Sequence, residues 1–220
     1  MCNRESVHKW IAPILVLIIL LALPSYAPAE AGAQSAGCGG VVTAKAKKRV
    51  AKNMPPLIVG DSVLLGAVSR VAAQGFTVNA RGCRGWSEGL AVLRGYQRRG
   101  ALPHLVVMSL GTNWSIRVAD IRKALRITGR RRVLAVMTPR EVGGYPGRDA
   151  AAVRKAGKLY PGHVVVLDWA ADTKGKPGWF GPDGVHLTWS GIAGMAKYLK
   201  SVLKYAPKSA MPGKSKPETD

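Results

Sequence analysis

Residues 56–62 read Pro-Leu-Ile-Val-Gly-Asp-Ser, a short apolar run that ends in a glycine, a carboxylate and a hydroxyl. An apolar run of this length, followed by turn residues, predicts a strand that is buried on both faces. The serine comes where the chain must turn into a helix predicted over Val63–Ala73. Because a serine at a strand-to-helix turn can present its hydroxyl at the edge of a sheet, Ser62 is a candidate nucleophile.

The alternation of apolar runs and helix-compatible segments continues along the chain. It predicts four further strands, over Phe76–Asn79, Leu105–Leu110, Val133–Met137 and Val164–Asp168, and four further helices, over Ser87–Arg98, Ile116–Ile127, Arg148–Lys158 and Ser190–Lys204. Five strands alternating with helices predict a three-layer α/β/α sandwich with a five-stranded parallel sheet, of the flavodoxin-like kind. In such sheets, functional sites lie at the carboxyl ends of the strands.

A second group of chemically important residues lies near the end of this predicted domain. Residues 183–186 read Asp-Gly-Val-His, in a loop rich in glycine and proline. A histidine can take the proton of a serine hydroxyl, and a carboxylate three residues earlier can hold the ring in the required tautomer. The other histidines precede predicted strands or fall in the N-terminal leader, so His186 is the predicted base and Asp183 its partner. Together with Ser62 they indicate acyl transfer through a covalent serine intermediate.

Acyl transfer also needs hydrogen-bond donors for the oxyanion of the tetrahedral intermediate. Ser62 can supply its own backbone N–H, because a helix N-terminus favours an anion; the same position also suits an ordinary helix cap. Asn113 follows the predicted Leu105–Leu110 strand and Gly111, so its side-chain amide is a second candidate. The sequence Gly-Thr-Asn at 111–113 is equally an ordinary turn, and both interpretations stay open.

The N-terminal residues have the composition of an export signal. Arg4 and Lys9 precede an apolar stretch from Ile11 to Leu23, which small residues follow. This stretch is shorter than the about 20 residues that cross a bilayer. Residues 1–29 are therefore interpreted as a signal peptide, with an uncleaved N-terminal anchor as the alternative. Either interpretation predicts a secreted or extracytoplasmic protein.

Composition divides the remainder of the chain. The composition predicts a basic linker of low order over residues 30–54 and the folded domain over residues 55–205. It predicts a disordered, Pro-rich tail over residues 206–220. The chain has 33 Lys and Arg against 12 Asp and Glu, a formal net charge of +21. This charge predicts attraction to anionic wall polymers, although much of it can belong to solvated tail and surface.

Several partners and ligands are not expected. No nucleic-acid recognition motif accompanies the charge, so we expect no nucleic-acid partner. The spacing of cysteines and histidines indicates no metal site, and no metal or organic cofactor is expected. Export permits a disulfide between Cys38 and Cys83, and the sequence leaves that bond undecided.

The ordered motifs Gly60-Asp61-Ser62, Gly111-Thr112-Asn113 and Asp183-x-x-His186 resemble those of the SGNH (GDSL-type) hydrolases, over residues 55–205. Residues 166–169 (Val-Leu-Asp-Trp), 179–180 (Trp-Phe) and 183–188 (Asp-Gly-Val-His-Leu-Thr) are similar to a subgroup of that family. This subgroup is the extracytoplasmic SGNH domain of bacterial peptidoglycan O-acetyltransferases. The resemblance implies a Ser62-His186-Asp183 triad.

The resemblance also implies an oxyanion hole formed by the Ser62 backbone N–H, the Asn113 side chain and a backbone N–H from a second block. In this chain that block reads Asn-Ala-Arg-Gly-Cys-Arg-Gly at 79–85, which departs from the family pattern. Cys83 occupies the position implied for the donor, and Gly82 and Gly85 are the alternatives.

The resemblance implies the activity of a serine esterase or acyltransferase. Its expected substrates are small O-acyl esters, such as acetyl esters, of an envelope polysaccharide. In the similar acetyltransferases the domain is fused to a membrane acyltransferase, so a membrane acyl-donor protein is an implied partner. No motif separates hydrolysis from acyl transfer. Two alternatives remain: a non-catalytic, cationic wall-binding protein that keeps the fold, and an esterase of membrane lipids.

Overall fold

The computed structural model describes residues 37–51, 54–143 and 146–206. The predicted signal peptide lies outside these residues, as does the predicted tail apart from Ala206, which is buried. Within the described ranges, no helix is long and apolar enough to cross a membrane.

From β2 to β6, strands and helices alternate along the chain, as the apolar pattern predicts. The strands are β1 (Val42–Ala44), β2 (Leu57–Gly60), β3 (Thr77–Ala80), β4 (Leu105–Ser109), β5 (Val133–Met137) and β6 (Val164–Leu167). The helices are α1 (Ser62–Ala73), α2 (Trp86–Arg98), α3 (Val118–Thr128), α4 (Arg148–Leu159), α5 (Trp169–Asp172) and α6 (Trp189–Val202). Short 3-10 turns cover Pro177–Trp179 and Leu203–Tyr205.

The sheet has six strands in the order β1-β3-β2-β4-β5-β6, rather than the five expected. Strands β2 to β6 are parallel, as expected, whereas β1 pairs antiparallel with β3 at one edge. The additional strand lies in the segment predicted to be a low-order linker. It escaped prediction because it is three residues long and largely exposed, and therefore has no apolar run or face to reveal it.

Both faces of the parallel sheet are buried, which confirms the three-layer architecture. On β2, Leu57 and Val59 pack in a core shared with α2, α3 and α4, whereas Ile58 packs in a second core shared with α1 and α6. Alternate residues of one strand thus enter two different cores. This arrangement explains why the strand is a continuous apolar run.

Two features of this packing position the functional residues. Gly60 of β2 pairs with Ser109 of β4, so the turns after both strands lie side by side at the carboxyl edge. Farther along the chain, the Pro177–Trp179 turn packs against α6 so closely that a Cβ at Gly194 would lie 2.4 Å from the Trp179 ring. Glycine at this position therefore allows the loop that precedes α6 to lie directly on the helix.

Candidate active site

Ser62, His186 and Asp183 are close together at the carboxyl edge of the sheet. Ser62 is the first residue of α1, and its Oγ lies 2.9 Å from Nε2 of His186. The other ring nitrogen of His186, Nδ1, lies 2.5 Å from Oδ2 of Asp183. The chain thus forms the continuous hydroxyl–imidazole–carboxylate relay that the sequence predicts, between residues 124 positions apart.

Asp183 organises its own loop as well as the histidine ring. Its Oδ1 accepts hydrogen bonds of 2.9 Å from the backbone N–H groups of both Val185 and His186. The hydrogen bond with the His186 ring, reinforced by these two backbone donors, lowers the pKa of Asp183 to about 2. Asp183 is therefore ionised throughout the neutral pH range, as a partner that orients imidazole must be.

The loop around His186 is held at its base by backbone and cationic contacts. The Gly181 N–H donates to the His186 carbonyl at 2.7 Å, and Phe180 and Leu187 form an antiparallel bridge. Arg140, which follows β5, donates from Nε to the Gly184 carbonyl at 2.7 Å, and its guanidinium lies 4.2 Å from the centre of the Phe180 ring. Arg140 thus joins the His186 loop to the sheet edge.

On the nucleophile side, Asp61 links two turns that the sequence treats separately. Its Oδ1 accepts from the Val63 N–H and caps α1, and its Oδ2 accepts from the Thr112 hydroxyl at 2.7 Å and from the Thr112 N–H at 3.3 Å. Asp61 is almost completely buried, and this burial raises its pKa against the opposing effect of these hydrogen bonds. The Ser62 turn and the Asn113 turn are consequently joined through one carboxylate.

Arg84 is a further residue of the site that sequence reasoning missed. Its guanidinium is only 2% exposed and donates to the Gly60 carbonyl, the Asn79 carbonyl and the Asn79 side chain at 2.7–3.0 Å. It therefore connects the ends of β2 and β3 beneath the Ser62 turn. In the sequence, Arg84 is one of many basic residues, and only its position between a strand and a helix, with a glycine after it, could have drawn attention to it.

The structure contains the Cys38–Cys83 disulfide that the sequence left undecided. Cys83 has φ of 53°, in the left-handed region. Neither Cys83 nor Ser62 donates its backbone N–H to an acceptor within the described part of the chain. Gly85, one of the alternatives to Cys83, donates its N–H to Glu88 and is therefore occupied. The N–H groups of Ser62, Cys83 and the remaining alternative, Gly82, have no acceptor among the described residues and are thus free to bind an oxyanion.

Asn113 lies at the surface, with Nδ2 3.4 Å from the Thr112 hydroxyl. Together with Cys83 it lines an open groove of about 860 Å³ between α2 and α3. The groove contains Trp86 and the 60%-exposed Trp114, and charged residues of both signs line it: Arg81, Glu88, Arg117, Asp120 and Lys123. Ser62 and His186 are not among its lining residues, so the groove reaches the candidate oxyanion donors and not the nucleophile itself.

The other tryptophans near the predicted site have packing roles. Trp169 is buried, and its ring packs against Trp179 with 5.8 Å between their centres. Asp168 is also structural, because Arg154 binds both of its carboxylate oxygens, at 2.7 and 2.8 Å. Across the described residues, no group of three or more His, Cys, Asp or Glu side chains is arranged to hold a metal ion.

The chain is similar in sequence to known proteins. A Staphylococcus aureus protein named as an O-acetyltransferase is 28% identical over 174 residues, which cover 75% of this chain and 28% of that protein. The peptidoglycan O-acetyltransferase of Listeria monocytogenes is 25% identical over 147 residues, 66% of this chain and 23% of the relative. The chain thus spans about a quarter of the length of these relatives. No protein-family model matches it.

Solved structures show the same architecture. The C-terminal catalytic domain of Streptococcus pneumoniae peptidoglycan O-acetyltransferase superposes with a TM-score of 0.59 at 22% identity, over 70% of this chain and 92% of that domain. A Slackia heliotrinireducens protein described as an SGNH hydrolase superposes with a TM-score of 0.53 at 19% identity, over 68% of this chain and 98% of that protein. The chain has the SGNH fold. The predicted resemblance to SGNH enzymes, and among them to peptidoglycan O-acetyltransferases, is confirmed.

Proposed function

We propose that this SGNH domain is a serine esterase or O-acyltransferase that acts on small O-acyl esters, of which acetyl is the expected one, on a cell-envelope polysaccharide. The observation that carries the proposal is the relay from Ser62 Oγ through the His186 ring to Asp183, with separations of 2.9 and 2.5 Å. A serine hydroxyl becomes an effective nucleophile only when a base accepts its proton, and this arrangement provides that base.

In the proposed first step, Nε2 of His186 takes the Ser62 proton as Oγ attacks the ester carbonyl carbon. The carbonyl oxygen becomes an oxyanion, which accepts hydrogen bonds from the backbone N–H groups of Ser62 and Cys83 and from the Asn113 amide. When the intermediate collapses, the imidazolium gives its proton to the departing group and the acyl group stays on Ser62. The departing group is the sugar oxygen in an esterase and the leaving group of the acyl donor in a transferase. Asp183, ionised with a pKa of about 2, stabilises the imidazolium in both stages.

In the second step, His186 removes a proton from water or from a sugar hydroxyl, whose oxygen attacks the acyl-enzyme. The imidazolium then returns the proton to Ser62 Oγ as the acyl–serine bond breaks. Water as the acceptor makes the protein an esterase, and a sugar hydroxyl makes it a transferase. A transferase also needs an acyl donor, which in this proposal is an activated ester delivered by a membrane partner.

Envelope polysaccharide is favoured as the substrate by the relatives and by the surface beside the site. The relatives that the chain resembles bear the names of O-acetyltransferases, one of them specifically of peptidoglycan. The groove next to Asn113 offers the exposed face of Trp114 and several charged hydrogen-bonding groups, a combination suited to the apolar faces and hydroxyl groups of sugar rings. The net charge of +21 would attract the protein to anionic wall polymers.

Export is part of the same proposal. The Cys38–Cys83 disulfide supports it, because disulfides persist in oxidising compartments and are rare in reducing ones. Sequencing the N-terminus of protein recovered from culture medium or cell wall would test it directly. A mature N-terminus near residue 30 is expected.

The decisive experiment is hydrolysis of p-nitrophenyl acetate by the purified protein and by its Ser62→Ala and His186→Ala variants. Turnover that both substitutions abolish would support serine acyl chemistry. Mass spectrometry after treatment with methanesulfonyl fluoride should then find one adduct, on Ser62. Absence of turnover and of the adduct would favour the wall-binding alternative. With turnover established, acetylated product formed on added glycan oligosaccharides would indicate a transferase, and release of acetate alone would indicate an esterase.

A further inference from the structure

We propose that Cys38 is a positioning residue for the oxyanion hole: its disulfide keeps the backbone of Cys83 in the conformation that offers the Cys83 N–H to the oxyanion. The inference rests on the proposed function, because it assigns that N–H a role in acyl transfer. It adds a residue 45 positions away, in the segment that precedes β1, to the machinery of the site.

The first observation is the backbone conformation of Cys83. With φ of 53°, it is the only residue other than glycine in the described ranges that has a positive φ. A side chain with a Cβ disfavours this left-handed conformation, because the Cβ approaches the following carbonyl oxygen. Without a restraint, the chain at this position would therefore leave the conformation that the structure shows for a large part of the time.

The second observation is that Cys38 is itself held in place. Its carbonyl oxygen lies against Gly82, where a Cβ would approach it to 2.4 Å, so the two segments are in direct backbone contact. Nε of Arg81 donates to the Gly39 carbonyl at 3.4 Å. Three residues later the chain enters β1, which pairs with β3. The disulfide consequently ties the middle of the 81–85 loop to an edge of the sheet.

The third observation is that the two ends of the same loop have other restraints. The Arg81 N–H donates to the Gly60 carbonyl at 3.2 Å, the Arg84 side chain donates to Gly60 and Asn79, and the Gly85 N–H donates to Glu88. Loss of the disulfide should therefore leave the ends of the loop in place and release only its middle. The expected consequence is a loss of transition-state stabilisation without loss of the fold.

A matched pair of double variants tests the inference. Cys38→Ala/Cys83→Ala and Cys38→Ala/Cys83→Gly both lack the disulfide and both thiols. They differ in the backbone preference at residue 83, where glycine adopts a positive φ without penalty. We expect the alanine pair to lower kcat for p-nitrophenyl acetate about tenfold, less than the about 10²–10³-fold that follows removal of a whole oxyanion donor. The kcat of the glycine pair should be at least about threefold higher than that of the alanine pair.

Two further measurements separate positioning from mere stabilisation. KM should change less than twofold in both pairs, while the affinity for methylboronic acid, which forms a tetrahedral adduct with an active-site serine, should fall in parallel with kcat. Reduction of the wild-type protein with dithiothreitol, which converts the disulfide to two thiols and is itself oxidised, should lower kcat to the level of the Cys38→Ala/Cys83→Ala pair. The glycine pair should be insensitive to the reductant.

Two results would overturn the inference. In one, the alanine pair keeps wild-type kcat and boronic acid affinity; in the other, the glycine pair is no more active than the alanine pair, even though both unfold at the same temperature. Either result would leave the Ser62 chemistry intact, because turnover and Ser62 labelling of the wild-type protein are measured in the same series. A wild-type protein without turnover or labelling would instead overturn the proposed function and this inference with it.

Discussion

The turn that carries Ser62 has buried polar support, whereas the loop that carries His186 is exposed. The turn that carries Ser62 rests on Asp61 and Arg84, which are 1% and 2% exposed and bind the ends of β2, β3 and the Thr112 turn. The loop that carries His186 lies at the surface, where the side chains of His186 and Asp183 are 55% and 51% exposed. Hydrogen bonds within residues 178–188 hold the loop together, and Arg140 joins it to the sheet edge.

This difference separates stability from activity within one site. A change in the buried support of the nucleophile, Asp61 or Arg84, leaves buried polar groups without hydrogen bonds that nothing replaces, so it should reduce the free energy of unfolding. A change on the His186 side alters an exposed loop, so it should reduce the rate and leave the free energy of unfolding almost unchanged. The predictions below test this separation.

The largest effect is expected for Ser62→Ala. The Ser62 hydroxyl contacts exposed His186 and is not part of the buried support, so its loss should lower kcat for p-nitrophenyl acetate by at least about 10⁴-fold without a change in melting temperature. Ser69→Ala, on the exposed face of α1, is the matched control and should keep full activity. A marked fall in the melting temperature of Ser62→Ala would contradict the separation proposed here.

Asp183→Asn should be the next most damaging substitution, with a fall in kcat of about 10³–10⁴-fold because the amide favours the wrong imidazole tautomer. Since the pKa of Asp183 is about 2, the wild-type carboxylate is ionised at pH 6 and at pH 9, and a large loss is expected at both. Thermal unfolding of the variant should match the wild type. Asp172→Asn, which removes an exposed partner of Lys176, is the control.

Arg84→Met should act mainly on stability. It removes a buried guanidinium that donates to three oxygens, two of them backbone carbonyls, at a cost of about 3 kcal/mol in the free energy of unfolding. For a domain of this size the melting temperature should fall by about 6–12 °C. Arg81→Met removes the more exposed ion pair between Arg81 and Glu88, and it should lower the free energy of unfolding by less than about 1 kcal/mol. Equal losses in the two variants, measured by urea unfolding, would show that the nucleophile side has no special buried support.

Arg140→Ala provides the corresponding test of the His186 side. Loss of the Arg140 hydrogen bond to the Gly184 carbonyl should let the His186 loop move and lower kcat about tenfold, equivalent to about 1.4 kcal/mol in the barrier. The free energy of unfolding should change by less than about 1 kcal/mol, because the lost contacts are only partly buried. Arg122→Ala, exposed on α3, is the control. A large loss of stability with unchanged kcat would reverse the expected pattern.

The smallest effect concerns Asp168, at the start of the segment that leads to the His186 loop. The hydrogen bonds from Arg154 lower the pKa of Asp168, so the ionised form stabilises the folded state. This contribution is present above the unfolded pKa of about 3.9 and is lost as pH falls through the lower folded value. Solvent screening keeps it below about 1 kcal/mol. The stability difference between wild type and Asp168→Asn should therefore shrink below about pH 4 in urea titrations.

The parts of the fold that the sequence predicts are those governed by local pattern. The parallel strands are continuous apolar runs, and Ser62, Asp183 and His186 stand in short motifs whose spacing is meaningful without coordinates. β1 is different, because three exposed residues carry no periodic signal and are ordered by pairing with β3. Its placement in a low-order linker is the main error of the sequence prediction.

The supporting contacts of the site were also beyond the sequence. Asp61 is visible as a helix cap, but its bond to Thr112 depends on the adjacency of β2 and β4. Arg84 resembles any other basic residue until the fold buries it. The same holds for Cys38, because the distance between two cysteines depends on where the intervening chain has folded. Pairs of residues brought together only by the tertiary structure leave little trace in a single sequence.

The antiparallel strand β1 has a consequence for handling the protein. Without it, β3 would be the outer strand of a parallel sheet, with a row of unsatisfied backbone groups available to any other extended chain, which is a common origin of self-association. A shortened protein that starts at residue 55 would keep every residue of the Ser62–His186–Asp183 relay. It would nevertheless expose this edge of the sheet and lose the Cys38 bond, and it should precipitate at concentrations at which the longer protein remains in solution.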